Sequence, residues 1–260
     1  MSGLLSAAAG KPGTEDLLLS ASADTEEWHG KVQMARELTG RAVHSAERNN
    51  ANESAANYLA REVLREAEIG TRAQAEAYGK AALNLVTSRD VAAMTTLGLA
   101  RAGDTVRAES LAANLNDAFP TDTLVQHYWL PTIRAAVQLQ HGHPSKALVE
   151  LEIVTPYELG WPMPIRVVLY PVYLRGQANL IQRDGRAAAG EFRKLIEHRG
   201  LVANFVLGVL AHLQLARAYA MQSDTAKARA AYKDFLTLWK DADPDIPILK
   251  EAKAEYAKLQ

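Results

Sequence analysis

The stretch from Ala211 to Trp239 reads AHLQLARAYAMQSDTAKARAAYKDFLTLW, and it decides the fold. Its second half sets Ala228, Ala231, Tyr232, Phe235, Leu236 and Trp239 at the spacing of one apolar helical face. The helix before it, Gly208 to Met221, carries Leu210, Leu213, Leu215 and Tyr219. Ser223-Asp224 between them marks a turn, so the unit reads as helix A, turn, helix B. Ala228 opens the second stripe, where a small side chain lets the two backbones approach.

The same opening alanine recurs roughly every 40 residues, at Ala35, Ala75, Ala108, Ala147, Ala188 and Ala228. A glycine stands five residues before the first four: Gly30, Gly70, Gly103 and Gly142. Asp184-Gly185 and Ser223-Asp224 lie near the other two. Glycine supplies the positive φ that ends one helix, and a following Asp or Thr, as in Gly103-Asp104 and Gly70-Thr71, caps the next. Ala108, Leu111, Ala112, Leu115 and Phe119 repeat the stripe in unit three. The reading is all-α: a right-handed α-solenoid of about six helical hairpins.

Leu215-Ala216-x-x-Tyr219 followed by Ala228-x-x-x-Tyr232 resembles the tetratricopeptide repeat, whose pattern joins an apolar-small pair, an aromatic, an alanine and a second aromatic. Ala188-x-x-x-Phe192 repeats the second half, and Pro120 closes unit three where that family often has proline. Units one and two depart from the pattern, with Thr39 and Gly79 where the second aromatic belongs. The segment from Ala211 to Tyr219, continued through Phe235 to Pro247, also resembles the C-terminal repeat region of multidomain bacterial serine/threonine protein kinases. That resemblance implies the non-catalytic, cytoplasmic arm of a signalling protein, any kinase domain lying elsewhere in a longer parent chain. Arg183-Asp184-Gly185 falls in a repeat turn rather than a catalytic motif.

The domain reading is a flexible segment over 1–13, the repeat domain over 14–246 and a capping helix over 247–260. Asp243-Pro-Asp-Ile-Pro247 breaks the chain, and Ile248, Leu249, Ala252, Tyr256 and Leu259 then share one face, as a terminal cap requires. Met1 to Gly10 lacks the basic start of a secretion signal. Alanine is abundant, aromatics are 7% and glycine (16) and proline (10) are modest, which suits packed helices. The formal charge of -1 provides no field for nucleic acid or an anionic membrane. With no cysteine, disulfides, thiolate metal sites and thiol nucleophiles are excluded. Leu201 to His212, among the longest uncharged runs, is too short to span a bilayer, so no membrane insertion is expected.

No cofactor, metal site or enzymatic activity is expected. His141-Gly-His143 reads as a polar turn without further ligands, and Asp241, Asp243 and Asp245 lack the glycine and glutamate of a calcium loop. Glu62 and Glu66, flanked by Arg61 and Arg65, read as a solvated, charge-laced face. His212 reads as a partly buried helix residue, and Ser145 has no acid to orient a base beside it.

Aromatics crowd the middle of the chain, in Tyr128-Trp129-Leu-Pro131 and Tyr170-Pro-Val-Tyr173. The repeat resemblance places A helices on a concave wall. It implies that Trp129, Tyr170, Tyr173, Gln177 and Arg217 face the groove, with Asn57, Arg61 and Arg101 further along. Core packing is the competing reading for each aromatic. Trp161-Pro-Met-Pro164 reads as a lid or a bridge between units four and five. The function expected is a scaffold that captures a protein or peptide partner. The alternatives are a small-molecule sensor with an aromatic pocket between units four and five, and a self-association module that forms homo-oligomers.

Overall fold

The structure, a computed structural model, describes residues 7–69, 71–160 and 169–259. The start of the N-terminal segment, the turn glycine Gly70, the Trp161-Pro-Met-Pro164 bridge and the last residue of the cap lie outside these residues. The described chain is all-α, with no strand among the described residues. The main helices are α1 (Glu15–Trp28), α2 (Val32–Arg48), α3 (Asn52–Ile69), α4 (Arg72–Leu85), α5 (Arg89–Arg101) and α6 (Thr105–Ala118). They continue with α7 (Leu130–Gln140), α8 (Pro144–Glu152), α9 (Tyr170–Ile181), α10 (Gly185–Glu197), the single turn α11 (Arg199–Val202), α12 (Val206–Met221), α13 (Thr225–Leu238) and α14 (Pro247–Ala257). A π-helical turn, Val125–Trp129, leads into α7. Pro131 cannot donate to the carbonyl one turn back, which favours a widened turn there.

One turn recurs at all six A-to-B junctions and once more at Ala51, whose N–H donates to the Ala46 carbonyl at 2.9 Å. Lys31, Thr71, Asp104, His143, Asp184 and Asp224 each donate their backbone N–H to the carbonyl five residues earlier, at 2.8 to 3.1 Å, closing helix A before helix B begins. Gly30, Gly103 and Gly142 take positive φ there. In the last two units the positive φ falls on Arg183 and Ser223, and Gly185 is instead the first residue of its helix. Asp104, Asp184 and Asp224 cap the following helices through their carboxylates, whereas Thr71 makes no side-chain cap.

All six opening alanines are fully buried, because each sits where helix B meets its neighbours. Four residues on, Phe192 and Tyr232 are buried aromatics, whereas Thr39 is a buried hydroxyl. At Gly79 an added Cβ would lie 3.3 Å from Thr95, so the position leaves no room for an aromatic without rearrangement.

Consecutive helices pack on one another along the chain, and α12 packs on α9, α10 and α13. It also packs on α1 and α3, so the last hairpin meets the first. The seam carries specific bonds. Trp239 Nε1 donates to the Trp28 carbonyl at 3.0 Å, Asp243 N to the Gly30 carbonyl at 3.0 Å, and Gln33 N to Asp243 Oδ2 at 2.9 Å. Asn204 Nδ2 donates to Thr25 Oγ1 at 3.0 Å. Asp243 therefore does more than interrupt the helix. It stitches the two ends together.

Candidate functional site

The seam changes what the inner faces of the A helices do. With α12 pressed on α1 and α3, side chains that point inward meet other helices instead of solvent. Trp129, Tyr170 and Tyr173 have at most 1% of their surface exposed, which corrects their placement on an open groove. Tyr173 lies edge-on to Phe192 at 5.8 Å, and its hydroxyl accepts from Gln214 Nε2 at 3.3 Å. Tyr170 packs near Phe205 and donates to the Leu64 carbonyl at 3.4 Å. Burial pushes the hydroxyls of Tyr170 and Tyr173 well above the ordinary tyrosine value.

Three of the expected groove residues do come together. Arg101, Gln177 and Arg217 line one open cavity of 340 Å³ with Gln140, Gln214, Leu139, Leu180 and Ile181. It is formed by the C-terminal parts of α5, α7, α9 and α12. Arg101 holds Glu68 in a two-pronged pair at 2.7 and 2.9 Å, with its guanidinium 5.9 Å from the centre of the Tyr173 ring. Gln140 donates to the Arg101 carbonyl at 2.8 Å. Arg217 makes a two-pronged pair with Glu255 on α14, both bonds at 2.9 Å, and reaches Glu251 at 3.1 Å. Both cations are thus compensated from within the chain, and the cavity offers a mixture of amides and aliphatic surface.

Asn57 is half-buried and bonds back to Glu53 on its own helix, at the carbonyl (2.9 Å) and the carboxylate (3.1 Å). Arg61 belongs to a different feature altogether. Glu62, Arg65 and Glu66 are at most 1% exposed and Arg61 8%, which corrects the solvated face expected for them. Arg65 Nη1 bonds Asp24 at 2.6 Å, and its Nη2 bonds Thr39 at 2.7 Å and also Glu62. Arg65 Nε lies 2.5 Å from Glu27. Arg61 pairs with Asp24 and bonds Ser20, Arg36 holds Glu66 at 2.5 and 2.9 Å, and Tyr58 donates to Asp16 at 2.9 Å. Thr39 serves this network through its hydroxyl, donating to Glu62 at 2.7 Å.

In this cluster Asp16, Asp24, Glu27, Glu62 and Glu66 outnumber Arg36, Arg61 and Arg65. The excess negative charge has an electrostatic consequence. Burial, reinforced by Glu62, Glu66 and Asp24, drives the Glu27 carboxyl well above its ordinary value against the pull of Arg65. Glu66 is raised as well, chiefly by burial. The sequence did carry a signal: Asp16, Ser20, Asp24 and Glu27 lie on one face of α1, a polar stripe at the spacing normally reserved for a core.

A second space lies at the seam. It is a cleft of 580 Å³ whose walls include Trp28, Leu195, Val202, Gly208, His212 and Leu238. Burial pushes the His212 imidazole below its ordinary value, with Asp234 opposing that shift. The remaining candidates are held locally. His141 Nε2 lies 3.3 Å from Thr105 Oγ1, His143 Nδ1 3.1 Å from Gln138 Oε1, and Ser145 accepts from Gln182 at 2.8 Å. Asp245 pairs with Lys250 at 3.2 Å. Among the described residues no group of three or more His, Cys, Asp or Glu side chains is placed to hold a metal ion, and no helix is long and apolar enough to cross a membrane. The chain matches no family model and no curated protein.

Proposed function

We propose that the chain is a non-catalytic interaction scaffold, a TPR-like α-solenoid closed by a C-terminal helix, that binds a peptide or helix of a partner protein. The six-fold turn and the six buried alanines support the repeat reading. The observation that carries the function is the 340 Å³ cavity at the ends of the inner helices. Side-chain amides both donate and accept, as a peptide backbone does. The aliphatic side chains beside them offer apolar contact, and the surrounding helices hold the set rigid at little ordering cost. The place in biology that fits best is the cytoplasmic adaptor or sensor arm of a bacterial signalling protein such as a serine/threonine kinase.

The test is selection of peptides from a displayed random library, followed by titration against Gln177→Ala. A half-buried surface amide contributes little to folding, so the variant should melt with the parent while binding at least roughly tenfold more weakly. Equal binding by the variant across the selected peptides would refute the cavity as the site.

A small-molecule sensor is the second reading, favoured by the seam cleft with its Trp28 wall and half-buried His212. The site lies between the first and last hairpins, away from the filled space around Trp129 and Tyr173. Stabilisation by an apolar ligand that is reduced in His212→Ala but retained in Gln177→Ala would select this reading over the first.

A further inference from the structure

The amide-lined cavity has an edge that the chain itself already occupies. Helix α14 places Glu251 and Glu255 one turn apart, and both carboxylates reach the same guanidinium, Arg217. Glu255 is held a second time by the Tyr232 hydroxyl at 2.8 Å. The rest of the anchorage is apolar. Leu249 and Ala252 are the buried residues of the helix, Ile248, Tyr256 and Leu259 are partly buried against the core, and the Tyr256 ring lies 6.2 Å from that of Tyr232. Glu251 keeps 62% of its side chain exposed and Glu255 32%, so water and any competing carboxylate reach both.

Arg217 is 24% exposed and borders the cavity directly. A cation in that position is unfavourable without a counter-charge. Arg101 across the cavity is already committed to Glu68, and the nearer polar neighbours, Gln177 and Gln214, are neutral. Whatever replaces α14 must therefore bring its own carboxylates, at a separation one guanidinium fork spans. On a helix that separation is one turn.

We propose that the Arg217 edge of the cavity is a docking surface for a partner helix bearing two carboxylates one turn apart, and that α14 occupies it in cis as a built-in competitor. This deepens the scaffold reading and rests on it. Binding of the partner then exchanges one carboxylate pair for another and releases α14, so affinity is set by the difference between the two helices. The tether gives α14 an effective concentration on the order of millimolar, which a weak acidic segment would not overcome.

The experiment uses the full chain and, as probe, a fluorescein-labelled peptide of the α14 sequence, PILKEAKAEYAKL, added in trans. The parent should bind it weakly because Arg217 is already occupied. The double variant Glu251→Gln/Glu255→Gln should bind it at least roughly tenfold more tightly, and adding Arg217→Met should return binding to the parent level. A probe peptide with glutamine at both glutamate positions should not bind the double variant. Hydrogen exchange over 247–257 reports whether the edge has opened. Faster exchange in the double variant without gain of peptide binding would overturn the proposal, and so would unchanged exchange. Library peptides that depend on Gln177 are titrated in parallel. If they still bind while the α14 peptide never does, only the Arg217 proposal falls; if they also fail, the cavity reading falls with it.

Discussion

The indole Nε1 of Trp239 donates a 3.0 Å hydrogen bond to the backbone carbonyl of Trp28, 211 residues away in the chain. The two tryptophans belong to the last and first hairpins, and the bond sits in a seam packed to near contact. A Cβ added at Gly208 would lie 2.4 Å from Trp28 Cζ3, and one at Gly30 2.5 Å from the Ala242 Cβ. Glycine at 30 is required twice over, since its φ of +73° is also one that other residues rarely adopt.

Gly208→Ala should therefore destabilise by about 1 to 3 kcal/mol through overpacking at the seam. Gly190→Ala is the matched control, because nothing lies within 4 Å of a Cβ built there. Inside α10 it should stabilise by roughly 0.5 to 1 kcal/mol. Urea unfolding of both variants checks the pair, and a Gly208→Ala protein as stable as its parent would refute the tight seam.

Removing one member of the buried ion cluster should cost far more than removing a surface charge. Arg65→Met leaves Asp24, Glu27 and Glu62 facing one another without their shared cation and should cost about 3 to 5 kcal/mol. Arg72→Met breaks the exposed pair with Glu76, which water screens, and should leave stability close to the parent's. Equal losses in the two variants would mean that the cluster is hydrated in solution.

Glu27 gives the cluster a pH signature. Its folded-state value is raised above the ordinary 4.5, so the unfolded chain releases this proton at lower pH than the folded one. The stability it contributes is fully present below about pH 4.5 and is lost as pH rises towards the folded-state value. Glu27→Gln, which cannot ionise, should gain on the parent as pH rises above about 4.5, until the folded-state value is passed. Denaturant midpoints for both proteins across that range test it. A constant difference would show that Arg65 holds Glu27 ionised throughout.

The middle aromatics should behave as core. Trp129→Ala and Tyr173→Ala should each lose about 3 to 5 kcal/mol, melting as early as Trp239→Ala. A near-native melt in either would return that ring to a solvent-facing role.

Local periodicity made the hairpins legible. The alanine spacing, the Gly30, Gly103 and Gly142 turns and the stripe from Ala228 to Trp239 are encoded within a few helical turns, and the folded chain buries every opening alanine. What eluded the sequence depends on partners far along the chain. An inward-pointing Tyr173 looks the same whether it faces a groove or a neighbouring helix, and only the packing of α12 on α1 and α3 decides. Glu62 and Glu66 looked solvated because their neighbours in sequence are charged. Their counterparts Thr39 and Arg36 stand on another helix. Of the expected residues, Arg101, Gln177 and Arg217 line one cavity because they sit towards the helix ends, beyond the filled centre.

The seam has a consequence for the order in which the protein is made. At a synthesis rate of about 5 to 20 residues per second, the Trp28 carbonyl waits roughly 10 to 40 seconds for Trp239 to leave the ribosome. Until then α1 lacks the side of its binding site that α12 provides, and the wall of the later cleft at Trp28 is bare. The nascent chain is thus exposed to capture at its beginning until its end arrives, and a chaperone that shields Trp28 during that interval would act on a contact that forms late.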